Sequence, residues 1–493
     1  MERMALPVTD NNRPIRKLMF RFCKTALTAL LAAMLLGMPA MAESAETDSL
    51  KQEVINLITA HHVSGVQPED LDTESIESVI ESLNDPYTEF MTPDEWRSFL
   101  DSLENHYVGI GIRFGWNDRG FFVVEVFEGS PAGEAGMREG DHIVAVDGEE
   151  TAGLSSDELV ARITGPAGTN VTVTVEREGG KIDLTMERRD IHYPALTARL
   201  IEPGIGYVRL NSFTSDADEL FEAETDRLLK EGMRALVLDL RNNPGGLLET
   251  AANMASRFVK DGVLIYTRNR TGLEEPYPIG SDHPLDVPVI LLVNEYSASA
   301  SEVLAGALQD YGIARLVGQK TYGKGSVQWT FQLSDGSVLK LTVQEYLTPL
   351  KRPVNHVGLE PDVPVYGDAP QLITALQLAG DLNVKIELGA ERMTVNGVPV
   401  LDRFPVIRDN GKVFVPSRVL AAVVEGSAEW DAASRAVVIR SPRAEAAYPV
   451  DSEGVLLKDG VSFIELNRFQ ARFSPFAWAD RDGIVTLVED GGE

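Results

Sequence analysis

The sequence predicts a multidomain α+β chain, with a helical N-terminal part, a small β-rich domain, an α/β core and a C-terminal β-rich repeat. Three observations predict it. At 493 residues, 44% of them hydrophobic and 24% charged, the chain is globular in composition and too long for one hydrophobic core. Its apolar periodicity changes near residue 106 from helical to short strands with glycine turns, and again after 190 to alternating buried strands and helices. Its last segment repeats itself.

Residues 1–42 read as a secretory signal. Arg13, Arg16, Lys17, Arg21 and Lys24 precede an apolar stretch from about Ala26 to Met38, and Ala40-Met41-Ala42 offers small residues for cleavage after Ala42. The alternative is an uncleaved membrane anchor, although the stretch is shorter than the ~20 residues a spanning helix needs. A secreted or extracytoplasmic location at the cell envelope is expected. Cys23, the only cysteine, lies in this segment, so the rest of the chain has no disulfide, thiolate metal site or cysteine nucleophile. The formal charge is −30, and the first 42 residues carry six basic and two acidic side chains, leaving −34 on the remainder. That charge disfavours nucleic acid and anionic membranes as partners. No metal or cofactor is expected.

Residues 43–105 show helical periodicity at Val54, Ile55, Leu57 and Ile58, then at Ile76, Val79, Ile80 and Leu83. Thr92, with Glu95 three residues on, reads as a capping box. Residues 106–190 hold the strand signals "YVGIGIRF", "GFFVVEVF", "DHIVAVDG" and "NVTVTVEREGGKIDLTMER", separated by a short and a longer helix. From 191 to 383, "ALVLDL" and "VPVILLV" are buried strands, each followed by a turn and an apolar-faced helix. Successive units of this kind put helix N-termini at the C-terminal edge of a parallel sheet, where open α/β sheets place their sites. In residues 384–493, Gly411 and Phe414 recur as Gly460 and Phe463, and Trp430 and Ile439 as Trp478 and Leu487. This segment has no histidine or cysteine and should fold alone around Trp430, Phe463, Phe476 and Trp478.

The stretch "NEYSASASEVLAGALQD" sets three serines at a strand-to-helix junction. Serine is a good helix cap. A helix N-terminus also offers unpaired N–H groups to an oxyanion, which suits a serine nucleophile. Such a serine needs a base. His356 in "VNHVGLEPD" is one candidate, but the G-x-S-x-G elbow is absent. Lys324 in "TYGKGSVQ" is the other, provided that burial or nearby positive charge makes it neutral. Gln328, four residues on, could orient it.

Together "LNDPYTEF", "LDLRNNPGGLL", "VNEYSASASEVLAGALQDYG", "TYGKGSVQ" and "GLEPDV" resemble the carboxy-terminal processing (tail-specific) serine protease family over about residues 45–380. The resemblance implies a crotonase-like α/β protease core at 191–383, an inserted PDZ domain at 106–190 and an extracytoplasmic endopeptidase with a Ser–Lys dyad. It makes Ser299 the nucleophile, Lys324 the base and Gln328 its support, and leaves Ser297 and Ser301 as helix-start residues. The oxyanion hole would use the N–H of Ala300 and one from Gly245 or Gly246, a choice the sequence leaves open. "YVGIGIRF" resembles the PDZ carboxylate loop, so Gly109, Ile110, Gly111 and Ile112 would hold the C-termini of protein or peptide substrates with apolar tails. The family's basic residue before the "GPAGT"-type loop is replaced by Thr164, with Arg162 two residues earlier, and "TPLKRPVNHVGLEPDV" lacks the Ser-Gly common after Thr-Pro. These departures put in doubt a signalling contact from PDZ to core and the form of the substrate-side loop.

"VNGVPV" and "GKVFVPSRVLAAVVEGSAEWDAASRAVVI" resemble the copper amine oxidase N-terminal-like, or stalk, domain. Without histidine or cysteine the segment has no thiolate or imidazole copper ligand. A cell-wall or envelope partner for it and a homodimer through the N-terminal helices are further expectations. The reading opposed to an active peptidase is a catalytically idle PDZ scaffold at the envelope.

Overall fold

A computed structural model describes residues 39–493, apart from 105, 118, 128, 178, 381–382, 390–392, 401–405, 459 and 490–493. Nearly all of the expected secretory segment lies outside the described residues, and Ala40 to Ala42 fall within the first helix, Pro39–His61. Among the described residues no helix is long and apolar enough to cross a membrane.

The central sheet has six strands in the order Leu196–Ile201, Ile205–Leu210, Ala235–Asp239, Val289–Val293, Ala314–Gly318 and Val363–Pro364. The first pair is antiparallel and the other pairs are parallel. Ala235–Asp239 and Val289–Val293 are buried at every position because both faces of the sheet are covered, which is why they read as unbroken apolar runs. On one face, Leu236, Leu238, Leu291 and Val293 pack with the helices Ala217–Lys230, Leu248–Ser256 and Ala300–Asp310. Val237, Ile290 and Leu292 point the other way, into a core shared with the helix Asp368–Leu378 and the C-terminal segment.

A second, five-stranded sheet contains Ser326–Gln332 and Val338–Leu347. Val54, Ile55, Ile58 and Val79 of the N-terminal helices pack on its Leu339, Leu341 and Val343. The expected capping box forms, with Thr92 N–H donating to Glu95 Oε2 at 2.8 Å and Glu95 N–H to Thr92 Oγ1 at 3.4 Å. The inserted β-domain has its own six-stranded sheet and its own core, including Ile110, Phe121, Ile143, Leu159 and Val173. It joins the rest through the pair His106–Gly109 and Arg189–His192.

In the C-terminal segment, strand, helix and hairpin occur twice. Lys412–Pro416 leads into the helix Ser417–Val423, and Val461–Glu465 into Leu466–Gln470. The two equivalent strands pair antiparallel, Val415 opposite Ile464. This segment does not have a separate core. Its Val395, Val415, Leu420, Phe469 and Leu487 share one cluster with Tyr207, Val237, Ile290 and Leu292 of the central sheet. Phe463 and Phe476 are buried as expected, whereas Trp430 is 53% exposed. The apolar second face of the central sheet needs a cover, and this segment together with Asp368–Leu378 supplies it.

Candidate active site

Parallel pairing of Leu238 with Leu291 and Asp239 with Leu292 sets the loops after these two strands side by side. The loops are then fastened to each other. Asn242 N–H donates to Asn294 Oδ1, and Asn294 Nδ2 donates to Asn242 Oδ1, both at 3.0 Å. Ala298 N–H donates to the Asn243 carbonyl at 3.1 Å. Two of the three serines take part: Ser297 Oγ donates to the Leu240 carbonyl at 2.8 Å and Ser301 Oγ to the Asn243 carbonyl at 3.0 Å. Both are fully buried, whereas Ser299 is partly exposed. The alternating serines therefore divide into two buried staples and one partly exposed residue.

Ser299 immediately precedes the helix Ala300–Asp310 with φ 55° and ψ −117°, a conformation that L-residues rarely adopt. Holding it costs ~1–3 kcal/mol, and such strain persists only where the surroundings impose it. Here they include Gly245, where a Cβ would lie 2.8 Å from Ser299 Cβ and 2.9 Å from Ala300 N. Gly245 N–H donates to Asn243 Oδ1 at 2.9 Å, and its carbonyl accepts from Phe213 N–H at 2.9 Å. Gly246 has φ 141°, and a Cβ there would meet the Phe213 carbonyl oxygen at 2.4 Å. Only glycine fits either position.

Glu302, three residues after Ser299, is fully buried. Its Oε2 accepts from Ser299 N–H at 3.0 Å and Lys324 N–H at 2.8 Å, and its Oε1 from Gly323 N–H at 2.7 Å and Thr321 Oγ1 at 2.5 Å. Burial nonetheless pushes its carboxyl above the usual range, against these four donors. Tyr346, also buried, donates its hydroxyl to the Lys324 carbonyl at 2.9 Å and the Ser299 carbonyl at 3.3 Å. The serine turn and the lysine loop, far apart in sequence, are thus clamped from two sides.

The glycines beside Lys324 have a packing reason. A Cβ at Gly325 would meet Asn355 N at 2.1 Å and one at Gly323 would meet Gly358 N at 3.0 Å, while His356 N–H donates to the Gly323 carbonyl at 2.8 Å. His356 thus serves the lysine loop through its backbone, and its ring makes no hydrogen bond to Ser299. Burial lowers the Lys324 ammonium below its ordinary pKa, helped by the charge of Lys340 and opposed by Asp85 and Glu302. Its Nζ lies 4.7 Å from the centroid of the Tyr87 ring. Among the described residues no hydrogen bond joins Lys324 Nζ to Ser299 Oγ. Gln328 is not joined to Lys324 either; its Nε2 donates to Ser326 Oγ at 2.9 Å and Thr342 Oγ1 at 3.2 Å.

Tyr87 comes from "NDPYTEF", whose Asp85 accepts from Thr88 Oγ1 at 2.6 Å and the Tyr87 N–H at 3.0 Å, with His62 Nε2 at 3.3 Å. Burial alone would raise the Asp85 pKa, but these hydrogen bonds hold it well below the usual carboxylate range. Beneath the glycine loop, Arg241 forms a buried bidentate pair with Asp239 at 2.9 and 2.6 Å and donates Nη1 to the Asp368 carbonyl at 2.7 Å. This ties the loop to the helix that the C-terminal segment covers.

In the β-domain, the Ile110 carbonyl accepts from Ala132 N–H at 2.9 Å and the Gly111 carbonyl from Phe127 N–H at 3.0 Å, turning both carbonyls inward. Gly111 has φ 78°, and a Cβ there would meet Ser130 Cβ at 2.4 Å. Ile110 is buried, and Ile112 begins the strand Ile112–Asn117. Glu302, Tyr346 and Tyr87 were not singled out from sequence. Glu302 had a signal, since Ser299 and Glu302 stand at capping-box spacing. Tyr87 had only its place in the stretch "LNDPYTEF", and Tyr346 had none, because strand pairing alone brings it here.

Residues 122–177 match the PDZ domain, 204–365 peptidase family S41, and 367–460 the copper amine oxidase N-terminal domain. The chain is 34% identical over 328 residues to the carboxyl-terminal-processing protease of Synechocystis sp., covering 65% of this chain and 76% of that protein. It is 38% identical over 300 residues to the protein of the same description from Picosynechococcus sp., covering 59% and 72%. Among solved structures, the photosystem II D1 C-terminal processing protease aligns at 28% identity and a TM-score of 0.46, covering 65% of this chain and 93% of that one.

Proposed function

We propose, from the premise that this chain belongs to the carboxyl-terminal-processing serine proteases of peptidase family S41, that it is an extracytoplasmic endopeptidase working through a Ser299–Lys324 dyad. The neutral Lys324 amine takes the Ser299 Oγ proton as Oγ attacks the scissile carbonyl carbon. The tetrahedral oxyanion is held by the N–H groups of Ala300 and Gly246. Gly245 is the weaker choice for the second donor, because its N–H is already given to Asn243 Oδ1. Lys324 ammonium returns the proton to the leaving amine, and water then hydrolyses the acyl-enzyme with Lys324 again as base. Gln328 swings from Ser326 and Thr342 to orient the amine.

One observation carries this reading. Of three serines at the junction, two have their hydroxyls spent on backbone carbonyls, while Ser299 alone stands strained at the helix start, tied through Glu302 to the lysine loop. The separation of Lys324 from Ser299 Oγ fits a resting site that becomes aligned when a substrate tail occupies Gly109–Ile112 of the PDZ domain. The tail can shift that equilibrium by no more than its differential affinity for the two states. Residues 384–493 hold a cell-wall or envelope partner on the surface opposite the central sheet, and the N-terminal helices pair two copies.

Digestion of a denatured protein with an apolar C-terminus by wild type, Ser299→Ala and Lys324→Ala tests the chemistry. Cleavage by wild type alone is expected. Equal cleavage by all three would remove the dyad, and no cleavage by any would leave a PDZ scaffold. Peptides ending in apolar residues should change the cleavage rate as free acids and not as C-terminal amides.

A further inference from the structure

A pocket of about 450 Å³ lies where the PDZ domain meets the protease core. Tyr107, Ile112, Phe127 and Tyr193 give it apolar walls, and Arg209 and Asn242 come from the core side. It therefore runs from the end of the tail-binding loop to the loop that carries Gly246.

Arg209 is the unusual member. It stands on the central sheet in register with Asp239. Both oxygens of Asp239 are already occupied: Oδ1 by the Arg241 N–H and Nε, Oδ2 by Arg241 Nη2 and the Tyr207 hydroxyl. Arg209 Nε is buried with no hydrogen-bond partner, and its guanidinium makes no hydrogen bond or ion pair among the described residues. Arg113, on the PDZ side of the pocket, also has a buried Nε without a partner, but its Nη2 pairs with Glu125 at 2.9 Å. Against the cost of burial, the Asp239 charge favours the Arg209 cation and holds its pKa above the ordinary value, but the buried Nε is left without an acceptor, which costs free energy until one arrives. Guanidinium is also the side chain best matched to a carboxylate. The apolar walls suit the side chains that flank such a group.

We propose that this pocket is a second substrate-recognition site, in which Arg209 binds a carboxylate of the peptide being cleaved. It is separate from the backbone loop at Gly109–Ile112 and rests on the reading of the chain as a peptidase. The carboxylate comes from an acidic side chain near the scissile bond or from a chain terminus, and the two sources can be told apart.

The test measures binding without hydrolysis, in the full chain carrying Ser299→Ala. Three fluorescent peptides share one apolar sequence. One has a free C-terminal acid, one has a C-terminal amide and a single Glu placed in turn along the chain, and one has the amide and Gln in place of Glu. Of the two amidated peptides, the one with Glu should bind about tenfold more tightly than the one with Gln; Arg209→Gln should bring that ratio close to one, or cut the free-acid preference to the part held by the Gly109–Ile112 loop. If the free-acid peptide loses the preference, the terminus is the ligand; if a Glu peptide loses it, the side chain is. Arg209→Lys keeps the charge and should keep part of the preference, which guards against a variant that merely folds poorly. Glu and free-acid preferences that are both unchanged in Arg209→Gln, or affinities for all three peptides that fall together, overturn the site. Proteolysis by the wild type, measured separately, shows whether the peptidase reading itself stands.

Discussion

Glu302 accepts the backbone N–H of Lys324 at 2.8 Å, with the same oxygen that takes the Ser299 N–H at 3.0 Å. A single buried carboxylate therefore sets the spacing between the candidate nucleophile and the candidate base. Glu302→Gln places an amide among four donors, so at least one pair of donors must face each other. Expected are a loss of roughly 1–3 kcal/mol in stability and a fall in kcat of at least about a hundredfold, since small misplacement of reacting groups has effects of that size. Thermal melts and single-turnover kinetics would check both. Full activity in Glu302→Gln would show that the clamp does not position the site.

Lys324, the candidate base, sets the expected pH dependence. Its folded pKa is lowered by burial and by Lys340. Cleavage should rise with pH, with a midpoint below the ordinary lysine value. Between the folded pKa and the unfolded one, the unfolded state binds more protons, so stability also rises with pH through that window. Lys324→Met should abolish cleavage, be more stable than wild type at neutral pH, and lose that advantage as pH climbs. Lys324→Arg should be inactive, because guanidinium keeps its proton. A flat stability difference between wild type and Lys324→Met would contradict the burial argument.

The three serines should separate cleanly. Ser297→Ala and Ser301→Ala each remove a buried hydrogen bond to a carbonyl and should cost about 1–3 kcal/mol, with activity reduced through the displaced loop. Ser299→Ala should end cleavage with little change in stability. Ser299→Gly should end it too and stabilise the fold by about 1 kcal/mol, because glycine tolerates this backbone conformation. Denaturant melts of the four variants would check the order.

Shortening the chain after residue 380 should destabilise the core. It would uncover the outward face of the helix Asp368–Leu378 and the apolar residues now shared with the C-terminal segment. Exposing even a few of these side chains costs several kcal/mol, at ~1.5–3 kcal/mol each. The shortened chain should melt well below the full one, or aggregate, and lose activity through Arg241, which joins the glycine loop to Asp368. A shortened enzyme with unchanged melting temperature and kcat would show that the segment is dispensable to the core.

The division into helical, β-rich, α/β and repeated segments was legible in the sequence, because each has its own apolar period and that period is a local property. Capping at Thr92 was legible for the same reason. The junction serines and the Gly-flanked Lys324 could be read as chemistry, because special backbone positions demand particular residue types. What the tertiary structure decided is which of those groups meet and which stay apart. Only strand register places Asn243 beneath Ser301, Tyr346 between Ser299 and Lys324, and Tyr87 under the lysine. Only packing shows that residues 384–493 complete the core of the central sheet, because a repeat reveals similar units and not the surface they bury. Arg209 is the plainest case: within "GYVRL" it is one charged residue of a strand, and its buried Nε lacks a hydrogen-bond partner because folding commits the oxygens of Asp239 to Arg241 and Tyr207. Local pattern fixes conformation, whereas contacts between residues far apart in sequence are set by the three-dimensional packing of the whole chain.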